Sequence, residues 1–216
     1  HAVVPEIAEF PEEAWGESAI AFLGCYAGSI DDGEREFRAL REFADPIADL
    51  GGPMPYLDLQ LVLDEDYPDG MNYYWKSLYL EGLSDECIKH LVDAGKRAPS
   101  ALSTVDVWQL GGAIARIEPN ETAFTNRSAP FLLAIEANWE DPTESEANVA
   151  WAREVWDEMR AFSTDAIYVN FPGFLDEAED VPRAAYGESY ERLVAVKNEY
   201  DPSNLFRINQ NVAPTV

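Results

Sequence analysis

Short apolar runs with the length of β-strands are spread along this chain of 216 residues, and helical patterns separate some of them. The predicted strands cover 18–27, 72–80, 104–117 (two short strands that meet at Gly111-Gly112), 130–139 and 166–171. The predicted helices cover 31–50, 56–63, 85–96, 144–162, 181–186 and 190–200. Several strands follow one another after links of hairpin length. This order favours an α+β fold with a mainly antiparallel sheet and helices packed on one face.

Acidic residues far outnumber basic ones, with 41 Asp and Glu against 15 Lys and Arg and a net charge of −26. A field this negative repels nucleic-acid phosphates and anionic membrane surfaces, so neither is an expected partner. The acids are scattered, and lysine is scarce. This pattern is typical of proteins adapted to molar salt, in which the Debye length falls to about 3 Å. We therefore favour a halophilic source and a cytoplasmic location over a dedicated cation-binding surface.

The few histidines and cysteines limit the chemistry that the chain can carry. With only His1 and His90 present, the sequence strongly disfavours a His-rich zinc centre or a Ser-His-Asp triad, and we expect no metal site. Cys25 and Cys87 both lie in apolar contexts, which favours two buried free thiols over one disulfide. No apolar run reaches the roughly 18–20 residues of a membrane span.

The predicted strand 166–171 carries polar side chains at alternate positions. Alternation places Tyr168 and Asn170 on one face and sends Ile167, Val169 and Phe171 to the other. An asparagine inside an apolar strand is costly unless its amide is hydrogen-bonded. We therefore expect a ligand or a fixed backbone partner to meet Asn170.

The predicted strand 72–80 is crowded with aromatic residues around Trp75 and Lys76. Lysine is rare in this chain, so a lysine inside an aromatic strand could have a functional role. It could equally lay its aliphatic stem along an aromatic core and keep its charge in water. The sequence leaves both readings open.

An ordered set of residues near the C-terminus carries a family resemblance. It comprises Tyr168-Val169-Asn170-Phe171, Tyr186-Gly187, Tyr190, Arg192-Leu193, Lys197, Tyr200-Asp201-Pro202-Ser203-Asn204 and Phe206, and it ends at Gln210-Asn211. Upstream lie Gly111-Gly112, Phe124, Arg127 and Asn138-Trp139. Together these residues resemble the closing signature of berberine-bridge-enzyme-like FAD-linked oxidases, in the vanillyl-alcohol-oxidase/p-cresol-methylhydroxylase superfamily. The resemblance extends from about Trp75 onward.

The resemblance implies a domain organisation. Family members hold FAD in an N-terminal domain, which has no counterpart in this sequence, and their second domain places an antiparallel sheet over the isoalloxazine ring. Residues 1–202 would then be a partial substrate-binding domain, truncated on its N-terminal side. Residues 203–216 would be a tail that returns toward the flavin domain. The missing FAD domain becomes an expected partner, and an exposed sheet edge would favour self-association.

The resemblance also implies roles for single residues. Tyr168 and Asn170 would approach the flavin, as would Gln210 and Asn211 of the tail. The expected lining of the substrate pocket is Trp75, Trp108, Leu132 and Phe171. Some family members carry a proton-accepting Tyr or Glu at the positions of Phe171 and Leu132, and neither of these side chains can accept a proton. Tyr168 is therefore the candidate base, and Lys76, if it points inward, would assist a phenol whose usual pKa is near 10.

The function implied by the resemblance is flavin-dependent oxidoreduction, in which a hydride passes from an alcohol-like small molecule to FAD. This chain would supply the substrate-side wall, and the sequence contains neither GxGxxG nor GxxxxGK[ST] to cradle the cofactor's phosphates. We therefore expect the chain to be inactive alone. The alternative is a non-catalytic α+β ligand-binding or assembly module, which would have capped sheet edges and a defined oligomeric state.

Overall fold

The computed structural model describes residues 1–173, 181–208 and 210–216. The range 174–180 and Asn209, which belongs to the C-terminal signature, lie outside the described residues. The chain divides into two compact units, 1–71 and 72–216. No helix among the described residues has the length and apolar character needed to cross a membrane.

The second unit is built on a three-stranded antiparallel sheet. Its strands are β3 (Asn72–Leu80), β4 (Thr104–Gln109) and β5 (Phe131–Trp139), arranged in the order β3-β5-β4. The central strand β5 pairs with β3 along its whole length, from Asn72 opposite Trp139 to Leu80 opposite Phe131. The prediction of an α+β fold with an antiparallel sheet is confirmed, and the bounds of β3 are those that the sequence predicted.

Helices cover one side of this sheet, which we call the helix side. Alternate residues of each strand face it, including Leu78 of β3 and Ile135 of β5, and both are fully buried. Against them pack α3 (Asp85–Lys96) and α4 (Ser145–Met159), which contribute Leu91, Val155 and other residues to one apolar cluster. Burial of this cluster is the main source of the unit's stability.

The helices of the second unit begin and end close to their predicted bounds. The Ser84 hydroxyl caps α3 by accepting a hydrogen bond from the Cys87 N–H at 3.2 Å, and serine at such a position is a common N-cap residue. After α4, the 3₁₀ turn Arg160–Phe162 continues the predicted helix 144–162. Nearer the C-terminus, α5 (Val181–Tyr186) and α6 (Tyr190–Tyr200) match the prediction.

Two predicted strands of the second unit are absent or shortened in the described residues. Only β4 forms within 104–117, because Gly111 and Gly112 adopt positive φ angles of 121° and 51° and the chain then enters the 3₁₀ turn Ile114–Arg116. The range 166–171 forms no strand of its own, and it follows the edge of β3 through separate hydrogen bonds.

The first unit contains little buried apolar surface. A two-residue antiparallel ladder joins β1 (Ala2–Val3) to β2 (Ser18–Ala19), and the helices are α1 (Ile30–Arg41) and α2 (Tyr56–Gln60). Neither helix contains a buried residue. The N-cap of α1 is Ser29, whose hydroxyl accepts a hydrogen bond from the Asp32 N–H.

Two further predictions for the first unit are wrong. The strand expected over 18–27 is only two residues long, because the described residues offer it a partner of two residues. Cys25, expected to be buried, is exposed; Cys87 is buried as expected, and both thiols are free.

Candidate functional site

The candidate site lies on the side of the sheet opposite the helices, which we call the aromatic side. It carries the alternate residues Trp75, Ser77 and Tyr79 of β3 and Leu132 of β5. Tyr79 and Leu132 are buried in a second apolar cluster, against which Phe124 and Tyr168 pack. Tyr168 therefore meets the sheet on the side that holds these aromatic rings.

The segment 163–173 brings Tyr168 to this position by running along the outer edge of β3. Main-chain hydrogen bonds join the two at both ends of the contact. Thr164 N–H donates to the Tyr79 carbonyl at 2.9 Å, and Tyr79 N–H donates to the Ala166 carbonyl at 3.1 Å. Further along, Gly173 N–H donates to the Trp75 carbonyl at 2.7 Å. Between these points the segment leaves the sheet as a turn, in which Phe171 N–H donates to the Tyr168 carbonyl at 3.0 Å.

The structure brings Tyr168 and Asn170 together. The Asn170 Nδ2 donates a hydrogen bond to the Tyr168 hydroxyl oxygen at 2.8 Å, while Ile167 on the opposite face is buried in the helix-side core. Asn170 is exposed and Tyr168 is half-buried. The polar ends of both side chains are thus joined at the surface of the aromatic side.

Phe171 lies beside Tyr168, so the prediction that it shares a face with Ile167 and Val169 is wrong. Its ring centre is 5.3 Å from that of Tyr168 and 5.1 Å from that of Trp75, with edge-to-face geometry in both pairs. The turn from Tyr168 to Phe171 breaks the two-residue alternation on which the prediction depended. Phe171 therefore joins Trp75 and Tyr168 in one row of rings.

Trp75 is held in place by a buried asparagine. Its Nε1 donates to Asn138 Oδ1 at 2.7 Å, and Asn138 Nδ2 donates to the Leu102 carbonyl at 3.0 Å. Asn138 is only 1% exposed. Because both ends of the amide are fixed, the Trp75 indole forms a rigid part of the aromatic side.

Lys76 is not beside Tyr168. Strand alternation sends it to the helix side, where its Nζ lies 4.4 Å from the centre of the Trp156 ring on α4. The structure therefore supports the reading in which Lys76 packs against aromatic surface, and it does not bring a lysine to the proposed base.

The other two predicted pocket residues share the aromatic side but differ in exposure. Leu132 is buried beside Tyr79. Trp108 pairs directly with Leu132 across β4 and β5, and it remains 51% exposed. Trp108 thus marks the open margin of the site.

Gln210 and Asn211 lie in the extended tail after α6. The start of the tail is clamped: the Asp201 carboxylate accepts hydrogen bonds from the Leu205 and Phe206 N–H groups at 2.7 and 3.0 Å. Lys197 also donates to this carboxylate, which lowers the pKa of Asp201. Within the described residues no hydrogen bond joins Gln210 or Asn211 to Tyr168.

Two cavities open on the second unit. One of about 200 Å³ is lined by Trp75, Asn170 and Gly173, among others, and therefore adjoins the candidate site. The other, of about 520 Å³, lies along α3 and α4. Its Arg97 already binds Glu158 through two hydrogen bonds of 2.8 and 3.1 Å. We place the site at the smaller cavity, because Trp75 and Asn170 line it, whereas Arg97 and Glu158 of the larger one already bind each other.

The aromatic side fits one part of FAD. The isoalloxazine group is a flat ring system with a polar edge, and the row of Trp75, Phe171 and Tyr168 beside the exposed Asn170 amide offers matching surfaces. The phosphates find no such match, since neither phosphate-loop pattern occurs in the sequence. The described part of the chain also holds no cluster of three or more His, Cys, Asp or Glu side chains arranged for a metal ion.

Sequence reasoning missed the polar residues that support the site, namely Ser77, Asn138 and Asn126, whose side chain forms a hydrogen bond with Tyr79. Ser77 and Asn138 are small polar residues inside apolar strands, and each is about 1% exposed. The reasoning that singled out Asn170, the cost of a buried polar group without a partner, applies equally to them. Asn126 gave no comparable signal, because it lies in a loop.

Comparisons with known proteins agree on one family. The family model described as "Berberine and berberine like" matches residues 167–213. YgaK, an FAD-linked oxidoreductase of Bacillus subtilis, is 39% identical over 129 residues, which are 59% of this chain and 27% of that protein. The structure of BBE-like 28 from Arabidopsis thaliana shares the fold, with a TM-score of 0.68 at 18% identity, over 88% of this chain and 46% of that one.

A further solved structure is that of GilR, an oxidoreductase that catalyses the terminal step of gilvocarcin biosynthesis. Its TM-score is 0.65 at 25% identity, over 81% of this chain and 40% of that one. The chain thus spans less than half the length of these three proteins. Together the comparisons support the berberine-bridge-like FAD-linked oxidoreductase family and, in general terms, flavin-dependent oxidoreduction.

Tyr79 generates a prediction about pH. Burial, with a further contribution from the neighbouring Tyr168, raises the pKa of Tyr79 to about 12. In the unfolded chain the phenol ionises near pH 10, so its contribution to stability is fully present below pH 10 and is lost as the pH rises to 12. As the pH rises from below 10 to 12, we expect the free energy of unfolding, measured by urea denaturation, to fall about 2–3 kcal/mol further in the wild type than in Tyr79→Phe.

The control is Tyr200→Phe, because Tyr200 is 77% exposed. The free energy of unfolding of Tyr200→Phe should fall with rising pH by as much as that of the wild type. Equal losses in the wild type and Tyr79→Phe would contradict the raised pKa.

Proposed function

We propose that this chain is the substrate-side part of a flavin-dependent oxidoreductase of the berberine-bridge-like family, whose aromatic side covers the isoalloxazine ring of FAD. The observation that carries the proposal is the joined pair Tyr168 and Asn170 on the aromatic side. This pair lies inside the range that the family model matches. FAD would be held mainly by a domain outside this sequence, which is then the chain's first partner.

In this proposal the side chains of the aromatic side bind and orient the substrate. Trp75 and Phe171 present ring edges and faces that pack against an apolar or planar molecule. Leu132 and Trp108 extend this surface toward β4. A ligand packed against these rings would keep water away from the polar ends of Tyr168 and Asn170, which would strengthen the hydrogen bonds they offer to it.

Tyr168 is the proposed acceptor of the substrate's hydroxyl proton. Asn170 donates an N–H to the phenolic oxygen at 2.8 Å, and this bond fixes the position of the oxygen that would accept the proton. When bound, FAD supplies the acceptor for the hydride that leaves the carbon of an alcohol-like substrate. In this step Tyr168 acts as the phenolate: the hydroxyl proton passes to its ionised oxygen, which becomes a neutral phenol, and the substrate leaves as a carbonyl compound.

The proposal also includes the C-terminal tail, which would contact the flavin, and the salt-rich setting of the protein. Gln210 and Asn211 would reach the flavin once the remaining domain is present, since the Asp201 clamp fixes where the tail leaves α6. Phe206 and Ile208, which are 78% and 86% exposed, offer that domain an apolar contact. The scattered acidic surface supports a cytoplasmic, halophilic setting.

The direct test is flavin reduction in the FAD-loaded parent protein. We expect Tyr168→Phe to slow reduction by an alcohol substrate by about 10²–10⁴-fold, because the ring remains and the proton acceptor is lost. Stopped-flow absorbance of the flavin measures the rate. Tyr56→Phe, at a tyrosine that is 70% exposed on α2, is the matched control and should reduce at the wild-type rate. A rate of flavin reduction in Tyr168→Phe close to that of the wild type would contradict the proposed role of Tyr168 as proton acceptor.

We further propose that the isolated chain associates with itself through the outer edge of β4. In the described residues β4 pairs only with β5. Its Val107 and Trp108 are 37% and 51% exposed. An unpaired strand edge with apolar side chains is a template for another strand.

Sedimentation velocity over a range of concentrations tests this association. The wild type should sediment faster as its concentration rises, and Val107→Lys should not, because a charged edge disfavours strand pairing. Val196→Lys, a matched substitution at a half-exposed position on α6, should behave as the wild type does. A wild type that stays monomeric throughout would reject the proposal and favour a self-contained module.

A further inference from the structure

We propose that Ser77 is a positioning residue that fixes the turn from Tyr168 to Phe171, and thereby the aromatic arrangement of the candidate site. The inference rests on the proposed function, which gives Tyr168 its role. Ser77 lies in the middle of β3 and is 1% exposed. Its hydroxyl oxygen accepts a hydrogen bond from the Tyr168 N–H at 2.9 Å and donates to the Phe171 carbonyl at 3.1 Å.

A mismatch in chain length explains why a side chain is needed at this position. Leu80 and Lys76 are four residues apart on β3, but Ser163 and Pro172, which pair with them in isolated antiparallel bridges, are nine residues apart. The facing segment therefore has five surplus residues between two fixed points. Regular strand pairing cannot absorb them, so the segment must leave the sheet.

Ser77 faces this surplus because it lies midway between Trp75 and Tyr79 on the same side of the strand. The turn takes the Tyr168 N–H away from the main chain of β3, and the Phe171 carbonyl lies beside the isolated bridge between Lys76 and Pro172. A hydroxyl both accepts and donates, so one serine satisfies both groups. The Tyr168 carbonyl, at 3.4 Å, is also within reach of the same hydroxyl.

The consequence is the placement of the aromatic rings. The turn puts Phe171 against both Trp75 and Tyr168, in place of the helix-side position that alternation predicts. Without the hydroxyl, two partly buried main-chain groups would lose this hydrogen-bond partner, which is costly. The segment would then open or shift to recover hydrogen bonds, and Tyr168 would lose its fixed relation to Trp75.

The structure offers a matched control in Ser103. It is also fully buried, and its hydroxyl likewise accepts from a main-chain N–H and donates to a main-chain carbonyl, in this case both of Asn138. Ser103→Ala and Ser77→Ala therefore remove the same chemistry from different places. If Ser77 only stabilised the fold, Ser77→Ala would change the free energy of unfolding and the exchange rate of the Tyr168 amide in the same way as Ser103→Ala does.

The experiment measures amide hydrogen exchange by NMR on this chain without flavin. We expect Ser77→Ala to speed exchange of the Tyr168 amide at least about tenfold relative to Ser103→Ala at matched global stability. The chemical shifts of the Tyr168 ring protons should also move toward their values in the unfolded chain, because the Phe171 ring moves away from them. Ser77→Thr, which keeps the hydroxyl, should restore both signals.

Wild-type protection of the Tyr168 amide in Ser77→Ala would overturn the proposal. If Ser77→Ala does not fold, Ser77→Cys replaces it, since a thiol has similar size but hydrogen-bonds weakly. Faster Tyr168 exchange in Ser77→Cys than in Ser77→Thr then supports the proposal, and equal exchange overturns it. A failed Tyr168→Phe kinetic test would reject the proposed function without altering these exchange rates, so the two failures are distinguishable.

Discussion

The arrangement of the site depends on five surplus residues between two fixed bridges at the edge of β3. The segment 163–173 is joined to the strand at Tyr79 and at Trp75, and it is too long to remain paired between them. The excess forms a turn on the aromatic side. Tyr168, Asn170 and Phe171 all take their positions from that turn. A segment in strict register would instead have sent Phe171 to the helix side.

The two sides of the sheet have different physical roles. The helix side is an apolar core in which α3 and α4 cover β3 and β5, and it accounts for most of the buried surface. The aromatic side holds buried polar residues, each with fixed partners, that orient aromatic rings near the surface. Stability thus comes mainly from one side, which leaves the other able to present a half-exposed phenol and an exposed amide to a ligand. That division is what the proposed role beside a flavin requires.

Local signals predicted the second unit well and the contacts between its segments poorly. The bounds of β3 and the Ser84 cap of α3 followed from periodicity and capping chemistry, because both depend on neighbouring residues. The positions of Lys76 and Phe171 depend on which side of the sheet is covered and on the length of a facing segment. A single sequence shows neither which side of the sheet is covered nor how long the facing segment is. The strand expected over 18–27 shortened for a related reason, since a strand needs a partner of its own length.

The most direct test of the account is a crystal structure of the FAD-loaded parent protein, in which the distances from the isoalloxazine ring to Tyr168 and Asn170 are measured. The account predicts that both side chains contact the ring or a substrate between them, with closest heavy atoms within about 4 Å of one or the other. An isoalloxazine ring on the helix side, or one separated from Tyr168 by other protein side chains, would contradict it.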